Sequence, residues 1–328
     1  MKSAVKRIGV LTSGGDAPGM NAAIRSVVRA SMHMGIECLG IRRGFNGLIT
    51  GDITSMDFVQ TSGLIGRGGT VLYTARSEEF KTPEGRKKAA NTCKLFGLEG
   101  IVGIGGDGTY RGLLEFSNQE GIAVVGVPGT IDNDIACTEY TIGYDTACNT
   151  ALDAIDRLKD TMQSHERCSV VEVMGHRAGH LALTVGVACG ATAVIVPEHP
   201  VDYEADLLEP IRRARLAGRT HFMIIVAEGV EGGAYSIGKV IEEATALDTR
   251  VTVLGHIQRG GSPSSRDRIT ATYMGYEAVR LLAEGKTCRV VALQGENYVD
   301  YDITEALQMT KSLDQHTYEV MRALTGVH

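Results

Sequence analysis

Apolar residues occur along this chain in short, nearly continuous runs, separated by longer segments whose apolar positions repeat at helical spacing. Runs without polar alternation are typical of strands buried on both faces of a parallel sheet. Strands are predicted at residues 8–11, 38–41, 101–104, 123–127, 169–174, 193–196, 222–227, 251–254 and 289–293. Helical spacing is clear at residues 21–34, where Gly35 ends the pattern. The alternation predicts a doubly wound α/β fold with mostly parallel sheets.

Length and composition narrow the class of protein. With 328 residues, the chain is long enough for about two Rossmann-like α/β/α domains. It is 43% apolar, lacks a membrane span or a signal-peptide core, and is therefore expected in the cytoplasm, with no membrane partner. The net charge of −6 and the aromatic content of 5% argue against a nucleic-acid partner. The seven scattered cysteines predict buried, reduced thiols rather than disulfides or a zinc site.

The loops that follow the predicted strands collect glycine, carboxylates, arginine and histidine. They read TSGGDAPGMN (12–21), GGDGT (105–109), PGTIDND (128–134), MGHRAG (174–179), EGVEGG (228–233) and GHIQRGGSP (255–263). Doubly wound sheets bind ligands at the carboxyl ends of their strands. The functional site is therefore predicted in these loops.

The stretch GIGGDGTYRG (103–112) contains the dinucleotide pattern G-x-G-x-x-G between a strand and a helix. That pattern expects an acidic residue after the following strand, where this chain has a Pro-Gly pair. Asp107 would repel a pyrophosphate that carries no metal. A metal-bound nucleotide is therefore favoured over a nicotinamide cofactor and over a purely structural turn, with Asp107 holding Mg²⁺ directly or through water.

The loop PGTIDND places Asp132 and Asp134 just after a strand, with Thr130 ahead of them. In isolation, this spacing is typical of a turn in which aspartate side chains bind nearby backbone N–H groups. Beside a second phosphate-type loop, one carboxylate is instead a candidate general base for the attack of a sugar hydroxyl on a γ-phosphate. Thr130 would orient that base or bind the substrate.

Arginines lie near many of these loops, at positions 76, 167, 177, 250 and 259. A single arginine is usually a solvated surface charge, but guanidinium groups bind phosphate in a bidentate manner. His256 and Arg259 are flanked by glycines in GHIQRGG. This pair favours a sugar-phosphate clamp over a structural turn.

Taken together, the motifs resemble those of the bacterial ATP-dependent 6-phosphofructokinase family. The resemblance runs essentially end to end, through LTSGGDAPGMNAAIR, GGDGT, PGTIDND, TIGYDTA, VVEVMG and VLGHIQRGGSP. It implies transfer of the γ-phosphate of Mg-ATP to the 1-hydroxyl of fructose 6-phosphate, giving fructose 1,6-bisphosphate and ADP. It also implies a homotetramer with shared active sites, a larger ATP-binding domain (1–142 and 255–305) and a smaller fructose 6-phosphate-binding domain (143–254 and 306–328).

The resemblance also assigns roles to single residues. The implied ATP site contains Gly15, Arg76, Ser77, Gly106, Asp107, Gly108 and Thr109, with Asp107 serving Mg²⁺. Asp132 matches the catalytic base, and Thr130 and Asp134 match its supporting neighbours. The implied substrate contacts are Thr130, Ile131, Asp132, Met174, Gly175, His176, Glu228, His256 and Arg259. Arg167 and Arg250 correspond to arginines that reach in from a neighbouring subunit.

Two glycines indicate the phosphoryl donor. Pyrophosphate-dependent relatives typically carry aspartate at the position of Gly108 and lysine at the position of Gly129, where these side chains fill space that ATP needs. Both positions are glycine here, which favours ATP. Other kinases that share a GGDGT loop, such as NAD kinase and diacylglycerol kinase relatives, lack the GTIDND and GHIQRGG loops in this form.

The chain departs from the family pattern at two places. Bacterial members usually have arginine where this chain has His176, a residue expected to help neutralise the transferring phosphoryl group. This difference predicts a lower rate and leaves a catalytically weakened regulatory or binding paralogue as the alternative function. Arg25, Arg29, Arg157 and Arg219 resemble an effector-binding cluster, but Asp52, Thr192 and Ala217 replace other expected members, which argues against regulation by ADP.

Overall fold

The structure is a computed structural model that describes residues 3–325. Its strands are β1 (Arg7–Thr12), β2 (Glu37–Ile41), β3 (Ile53–Ser55), β4 (Gly100–Gly105), β5 (Ala123–Pro128), β6 (Cys168–Val173), β7 (Ala193–Ile195), β8 (Phe222–Ala227), β9 (Thr249–Val253), β10 (Arg289–Gln294) and β11 (Asn297–Asp302). Its α-helices are α1 (Met20–His33), α2 (Phe45–Thr50), α3 (Pro83–Phe96), α4 (Asp107–Glu120), α5 (Tyr144–His165), α6 (His180–Cys189), α7 (Glu209–Leu216), α8 (Gly233–Thr245), α9 (Ser265–Ala283), α10 (Ile303–Ala306) and α11 (Gln315–Thr325). Within the described range, no helix has both the length and the apolar character of a membrane span.

The chain folds as two compact units. Unit 1 contains the chain up to Ile131, Ile135–Thr146 and Arg259–Lys311. Unit 2 contains Asp132–Asp134, Ala147–Gln258 and the chain from Ser312. The assignment of ATP to the larger domain (1–142 and 255–305) and of fructose 6-phosphate to the smaller one (143–254 and 306–328) stays a prediction.

Unit 1 is built on a seven-stranded sheet in the order β11-β10-β5-β4-β1-β2-β3. The five central strands are parallel, whereas β3 and β11 pair with their neighbours in the antiparallel direction. Thr12 pairs with Ile104, and Gly105 pairs with Pro128. The loops that follow β1, β4 and β5 therefore start at the same edge of the sheet.

Unit 2 contains a four-stranded, all-parallel sheet in the order β7-β8-β6-β9. Val173 pairs with Ala227, and Glu172 pairs with Val253. The loops after β6, β8 and β9 thus begin at one edge of this second sheet. Every residue of β8 is buried, which explains its continuous apolar run FMIIVA.

The predicted doubly wound α/β fold with mostly parallel sheets is confirmed. Every predicted strand corresponds to an observed one, with ends that agree or differ by at most two residues, and the helix predicted at 21–34 is α1. The prediction missed β3 and β11. Both are antiparallel edge strands whose residues are only partly buried or exposed, so they lack the apolar run that marked the other strands.

Six of the seven cysteines, all of which lie within residues 3–325, are buried and none forms a disulfide, as predicted. The prediction of burial was wrong for Cys288, which is partly exposed. Burial raises the pKa of the Cys38 thiol to about 12, and the neighbouring Ser31 hydroxyl opposes this shift. Such a thiol stays protonated at neutral pH and packs as a small apolar group.

Candidate active site

The first two glycine-rich loops of unit 1 are held together at the carboxyl ends of β1 and β4. The backbone N–H of Ser13 donates to the Ile104 carbonyl at 3.0 Å, and the Thr109 hydroxyl donates to the Ser13 carbonyl at 3.4 Å. A Cβ atom at Gly105 would lie 2.3 Å from Thr109 Oγ1 and 2.4 Å from the Ser13 oxygen. Only glycine permits this approach, which joins the two loops into one backbone surface.

Asp107 is the first residue of α4 and follows the N-cap residue Gly106. Its side chain is 45% exposed, and its carboxylate lies 4.0 Å from the Arg111 guanidinium. Cβ atoms at Gly106 and Gly108 would meet no atom within 4 Å. The space beside Gly106 and Gly108 is therefore open, and the dipole at the start of α4 suits an anion.

Asp107 and the open space beside it fit a magnesium ion whose other ligands are phosphate oxygens and water. Among residues 3–325, no three histidine, cysteine, aspartate or glutamate side chains are grouped to hold a metal. A single carboxylate beside open space is the donor set that Mg²⁺ uses when phosphate oxygens and water complete its shell. Asp107 is the residue that would hold the ion.

The third loop, which follows β5, is fixed to the second one. The N–H of Gly129 donates to the Gly105 carbonyl at 3.1 Å. A Cβ atom at Gly129 would lie 3.0 Å from Ile104 Cγ2 and 3.2 Å from Met20 Cε. Gly129 therefore packs tightly, in contrast to the open position of Gly108. The next residue, Thr130, accepts a hydrogen bond at its carbonyl from the Thr141 hydroxyl at 2.7 Å.

The segment that carries Arg76 and Ser77 is attached to the first loop. The Thr74 hydroxyl donates to the Gly14 carbonyl at 2.7 Å, and the Thr12 hydroxyl donates to the Tyr73 carbonyl at 2.9 Å. The sequence predicted no role for either threonine, because a single threonine carries no distinctive pattern. Their bonds attach Tyr73 and Thr74, which directly precede the segment of Arg76 and Ser77, to loop 12–21.

Arg259 also contacts the first loop of unit 1. Its guanidinium donates to the Asp16 carbonyl at 3.2 Å. A Cβ atom at Gly15 would lie 2.5 Å from Arg259 Nη1. The structure thus joins a predicted sugar-phosphate residue to a predicted ATP residue, a contact between distant parts of the sequence that spacing alone does not reveal.

In unit 2, two side chains hold the backbone of the loop after β6. Glu228 Oε1 accepts hydrogen bonds from the N–H groups of Gly175 at 3.1 Å and His176 at 2.6 Å. Gln258 Oε1 accepts from the N–H of Met174 at 2.9 Å. The φ angles of Gly175 and His176 are 153° and 57°, so this loop adopts a conformation that most residues disfavour. The structure thus brings Glu228 together with Met174, Gly175 and His176, whose roles in binding the substrate stay predictions.

Gln258 was missed as a functional candidate, although it lies in the GHIQRGG motif. It is completely buried, and within the described part of the chain its Nε2 group has no hydrogen-bond partner. Gln258 was not predicted because its side chain is an uncharged amide, which on its own does not indicate phosphate binding or catalysis. His256, by contrast, is exposed in the 3₁₀ turn Gly255–Arg259.

The aspartates of PGTIDND belong to unit 2, and one of them, Asp134, approaches His176. Asp132 and Asn133 are both buried, and Asn133 has a φ angle of 50°. The Asp134 carboxylate lies 3.8 Å from His176 Nδ1. The residue that departs from the family pattern thus faces a predicted neighbour of the base.

Arg167 and Arg250 share one carboxylate. Arg167 Nε donates to Asp248 at 2.5 Å, and Arg250 Nη2 lies 3.1 Å from the same carboxylate. Burial opposes the shift, yet the two guanidinium groups hold the pKa of Asp248 below its ordinary value. Both arginines lie at the amino ends of β6 and β9, whereas Glu228 follows the carboxyl end of β8. Arg250 lies level with Met223, five residues before Glu228, so the length of a strand, or about 17 Å, separates the two in the same chain.

The effector candidates fall in different units. Arg25 and Arg29 lie on α1 in unit 1, where Arg29 donates to the Thr61 hydroxyl at 3.3 Å and stacks on the Phe58 ring at 4.0 Å. Burial, and then the charge of Arg29, lowers the pKa of Arg25. Arg157 and Arg219 belong to unit 2, and Arg157 pairs with Asp153 at 3.2 Å. Their common role in binding an effector stays a prediction.

Known proteins match this chain along most of its length. The family model of phosphofructokinase matches residues 7–282. The ATP-dependent 6-phosphofructokinase of Clostridium botulinum (strain Hall) is 53% identical over 322 residues, which cover 98% of this chain and 100% of that protein. The ATP-dependent 6-phosphofructokinase of Clostridium novyi (strain NT) is 52% identical over 321 residues, with the same coverage.

Solved structures match the fold as well. The phosphofructokinase of Saccharomyces cerevisiae superposes with a TM-score of 0.88 at 34% identity, and the match covers 97% of this chain but only 46% of the yeast chain. A pyrophosphate-dependent phosphofructokinase from Marinobacter aquaeolei has a TM-score of 0.82 at 18% identity, covering 99% and 92% of the two chains, and shows a common fold. On these matches, the chain belongs to the phosphofructokinase family.

Proposed function

We propose that this chain is a glycolytic ATP-dependent 6-phosphofructokinase, which transfers the γ-phosphate of Mg-ATP to the 1-hydroxyl of fructose 6-phosphate. The products are fructose 1,6-bisphosphate and ADP. The observation that carries the proposal is the 53% identity to a curated ATP-dependent enzyme over 98% of this chain and all of that protein. The alternative of a catalytically weakened paralogue depends on His176 alone and gains no support from the relatives, which carry the name of the active enzyme.

In this proposal, the loops of unit 1 bind the nucleotide. Gly15, Arg76, Ser77, Gly106, Gly108 and Thr109 surround the phosphates, which are attracted by the backbone N–H groups at the start of α4. Asp107 would hold Mg²⁺, which neutralises charge on the phosphate oxygens when it is bound. The joined loops after β1, β4 and β5 support this role, because they offer a fixed backbone surface with open space at Gly106 and Gly108.

Asp132 acts as the general base in the proposed reaction. It accepts the proton of the 1-hydroxyl as that oxygen attacks the γ-phosphorus, and the bond from the γ-phosphorus to the bridging oxygen of ADP breaks. Thr130 and Asp134 support the base, and Ile131 lies between them and contacts the substrate. Met174, Gly175, Glu228, His256 and Arg259 bind fructose 6-phosphate, with His176 near the transferring group.

A coupled assay with fructose 6-phosphate tests the donor and the reaction together. We expect turnover with Mg-ATP and none above background with Mg-pyrophosphate at the same concentration. Omission of Mg²⁺ with added chelator should abolish the signal. Pyrophosphate-dependent turnover, or none with either donor in a folded preparation, would refute the proposed function.

We further propose that the enzyme is a cytoplasmic homotetramer in which Arg167 and Arg250 serve the active site of a neighbouring subunit. The location of both arginines at the strand ends opposite Glu228 supports this role. An allosteric site formed by Arg25, Arg29, Arg157 and Arg219 is the corresponding proposal for regulation by a phosphate-bearing effector.

Sharing of the active site predicts complementation between two inactive variants. Arg250→Ala removes the guanidinium that we propose enters the active site of a neighbouring subunit. Asp132→Asn removes the general base of the subunit's own site. Co-expressed, the two variants should regain activity, because mixed oligomers contain sites in which Asp132 and Arg250 are both intact. Each variant alone, expressed and assayed in the same way, is the control. Mixed oligomers, verified by two affinity tags, that stay as inactive as the single variants would show that Arg250 acts within its own subunit.

Replacing His176 with arginine should raise kcat by roughly 10-fold or more, since a placed donor to developing charge contributes strongly to a transition state. Arginine stays charged and presents several N–H donors, whereas the imidazole is shorter and offers fewer. His176→Gln, which does not supply a guanidinium, is the matched control and should not raise kcat. A kcat of His176→Arg equal to that of the wild type would show that a guanidinium at position 176 does not assist the reaction.

A further inference from the structure

A buried carboxylate at the start of α9 accepts four hydrogen bonds in unit 1. Asp267 is completely buried. Its Oδ1 atom accepts from the Tyr140 hydroxyl at 2.6 Å and the Gly143 N–H at 2.7 Å. Its Oδ2 atom accepts from the Thr146 N–H at 2.9 Å and the Thr146 hydroxyl at 2.5 Å. Each oxygen thus takes one backbone donor and one hydroxyl donor, and bonds to a charged acceptor are among the stronger ones in proteins.

The segment that Asp267 holds, residues 140–146, supports the loop after β5. The N–H of Ile142 donates to the Pro128 carbonyl at 2.9 Å, and Ile142 forms an isolated parallel bridge with Gly129. The Thr141 hydroxyl donates to the Thr130 carbonyl at 2.7 Å. The backbone from Pro128 to Thr130, which leads directly to Asp132 in the sequence, therefore rests on this segment.

The same segment packs against the first glycine-rich loop. A Cβ atom at Gly143 would lie 2.6 Å from Ala17 Cβ and 3.3 Å from Ile131 Cγ2. A Cβ atom at Gly19 would lie 2.7 Å from Ile142 Cγ2. These close approaches leave the segment no room to shift without moving loop 12–21 and the loop after β5.

We infer that Asp267 is a positioning residue for phosphoryl transfer, which fixes residues 140–146 and, through them, both loops that rest on this segment. The inference deepens the proposed function and rests on it, because Thr130 and Ile131 matter only if that loop serves the reaction. Small displacements of a reacting group reduce the rate far more than they reduce ground-state binding. Asp267 therefore acts mainly on kcat.

Asp267→Asn tests whether the hydrogen bonds of the carboxylate, rather than its volume, hold residues 140–146 in place. In either orientation of the amide, the Nδ2 group faces a backbone N–H, that of Gly143 or that of Thr146, and neither can reverse its polarity. We expect kcat to fall by roughly 10- to 100-fold, with KM for ATP and for fructose 6-phosphate changed by less than about 3-fold. Hydrogen exchange at the amides of residues 140–146 should be faster than in the wild type.

Ser264→Ala is the matched control. The Ser264 hydroxyl caps α9 by accepting from the Asp267 N–H at 3.3 Å, so this variant weakens the helix start but leaves the carboxylate and its four donors in place. It should lower the thermal midpoint without the loss of kcat. An equal loss of kcat in Ser264→Ala would show that Asp267 acts only through the helix start, and wild-type kcat in folded Asp267→Asn would overturn the inference.

Tyr140→Phe decides the question if Asp267→Asn does not fold. It removes one hydroxyl donor to Asp267 and keeps the ring, so we expect a measurable fall in kcat, about 3-fold, with unchanged KM values. Wild-type kcat in Tyr140→Phe would then count against the inference. The wild-type enzyme, assayed in parallel with ATP and fructose 6-phosphate, distinguishes failure of this inference from failure of the proposed function.

Discussion

Replacing Asp132 with asparagine is expected to reduce kcat by roughly 10²- to 10⁴-fold, the usual contribution of a positioned general base. Asparagine has nearly the same shape, so the buried position of residue 132 stays filled. Its amide cannot accept the hydroxyl proton during the attack. Steady-state kinetics with Mg-ATP and fructose 6-phosphate, followed over a range of enzyme concentrations, would measure this loss.

Two measurements make the Asp132 prediction specific. The dissociation constants of ATP and fructose 6-phosphate, determined by calorimetry, should change by only a few-fold, because the loss concerns the transition state rather than the ground state. Asp134→Asn is the matched variant, since it changes the other aspartate of the same loop, the one that lies 3.8 Å from His176. Asp134→Asn should reduce kcat less than Asp132→Asn does. If Asp132→Asn retained a kcat within about 3-fold of the wild type, another group would have to be the base.

The parallel strands and the edge of each sheet that carries the loops could be predicted from sequence, because both depend on local patterns. Strands buried on both faces require continuous apolar runs, as in β4 and β8. The edge at which the loops begin follows from the parallel connection of strands through helices. The antiparallel edge strand β11 escaped prediction because its sequence NYVDYD is only partly buried and mixes polar with apolar residues.

The residues that hold the loops in place were much harder to predict. Gln258 bonds to Met174 across 84 residues of sequence, and Asp267 bonds to Tyr140 across 127 residues. Neither pair has a characteristic spacing, and an aspartate in the first turn of a helix is ordinarily interpreted as a favourable dipole interaction. Such contacts depend on the packing of distant segments, which periodicity and motif spacing do not encode.

The contact of Arg259 with Asp16 is another contact between distant segments that the sequence motifs did not reveal. Sequence motifs assigned Arg259 to the sugar phosphate and Gly15 to ATP, since each was judged within its own motif. The structure brings the Arg259 guanidinium so close to Gly15 that a side chain at position 15 would require this guanidinium to move. The two motifs are therefore in contact, although they are 243 residues apart in sequence.

Gly108→Asp is expected to reduce kcat/KM for ATP by roughly 10²- to 10³-fold, because like charges brought together cost several kcal/mol. The new carboxylate would lie next to Asp107 at the start of α4, in the space where we propose that the nucleotide phosphates bind. A Cβ atom at position 108 meets no atom within 4 Å, so the fold itself should tolerate the substitution. Kinetics at varied Mg-ATP, with thermal unfolding to verify folding, would test both expectations.

Gly108→Ala and Gly129→Ala separate charge from packing in this prediction. Alanine at position 108 adds no charge and suits a helix, so it should keep most of the ATP activity and raise the free energy of unfolding by up to about 1 kcal/mol. Alanine at position 129 would press on Ile104 Cγ2 at 3.0 Å and on Met20 Cε at 3.2 Å, and should lower stability instead. If Gly108→Asp used ATP as well as Gly108→Ala does, the open space at the start of α4 would not be where the phosphates of ATP bind.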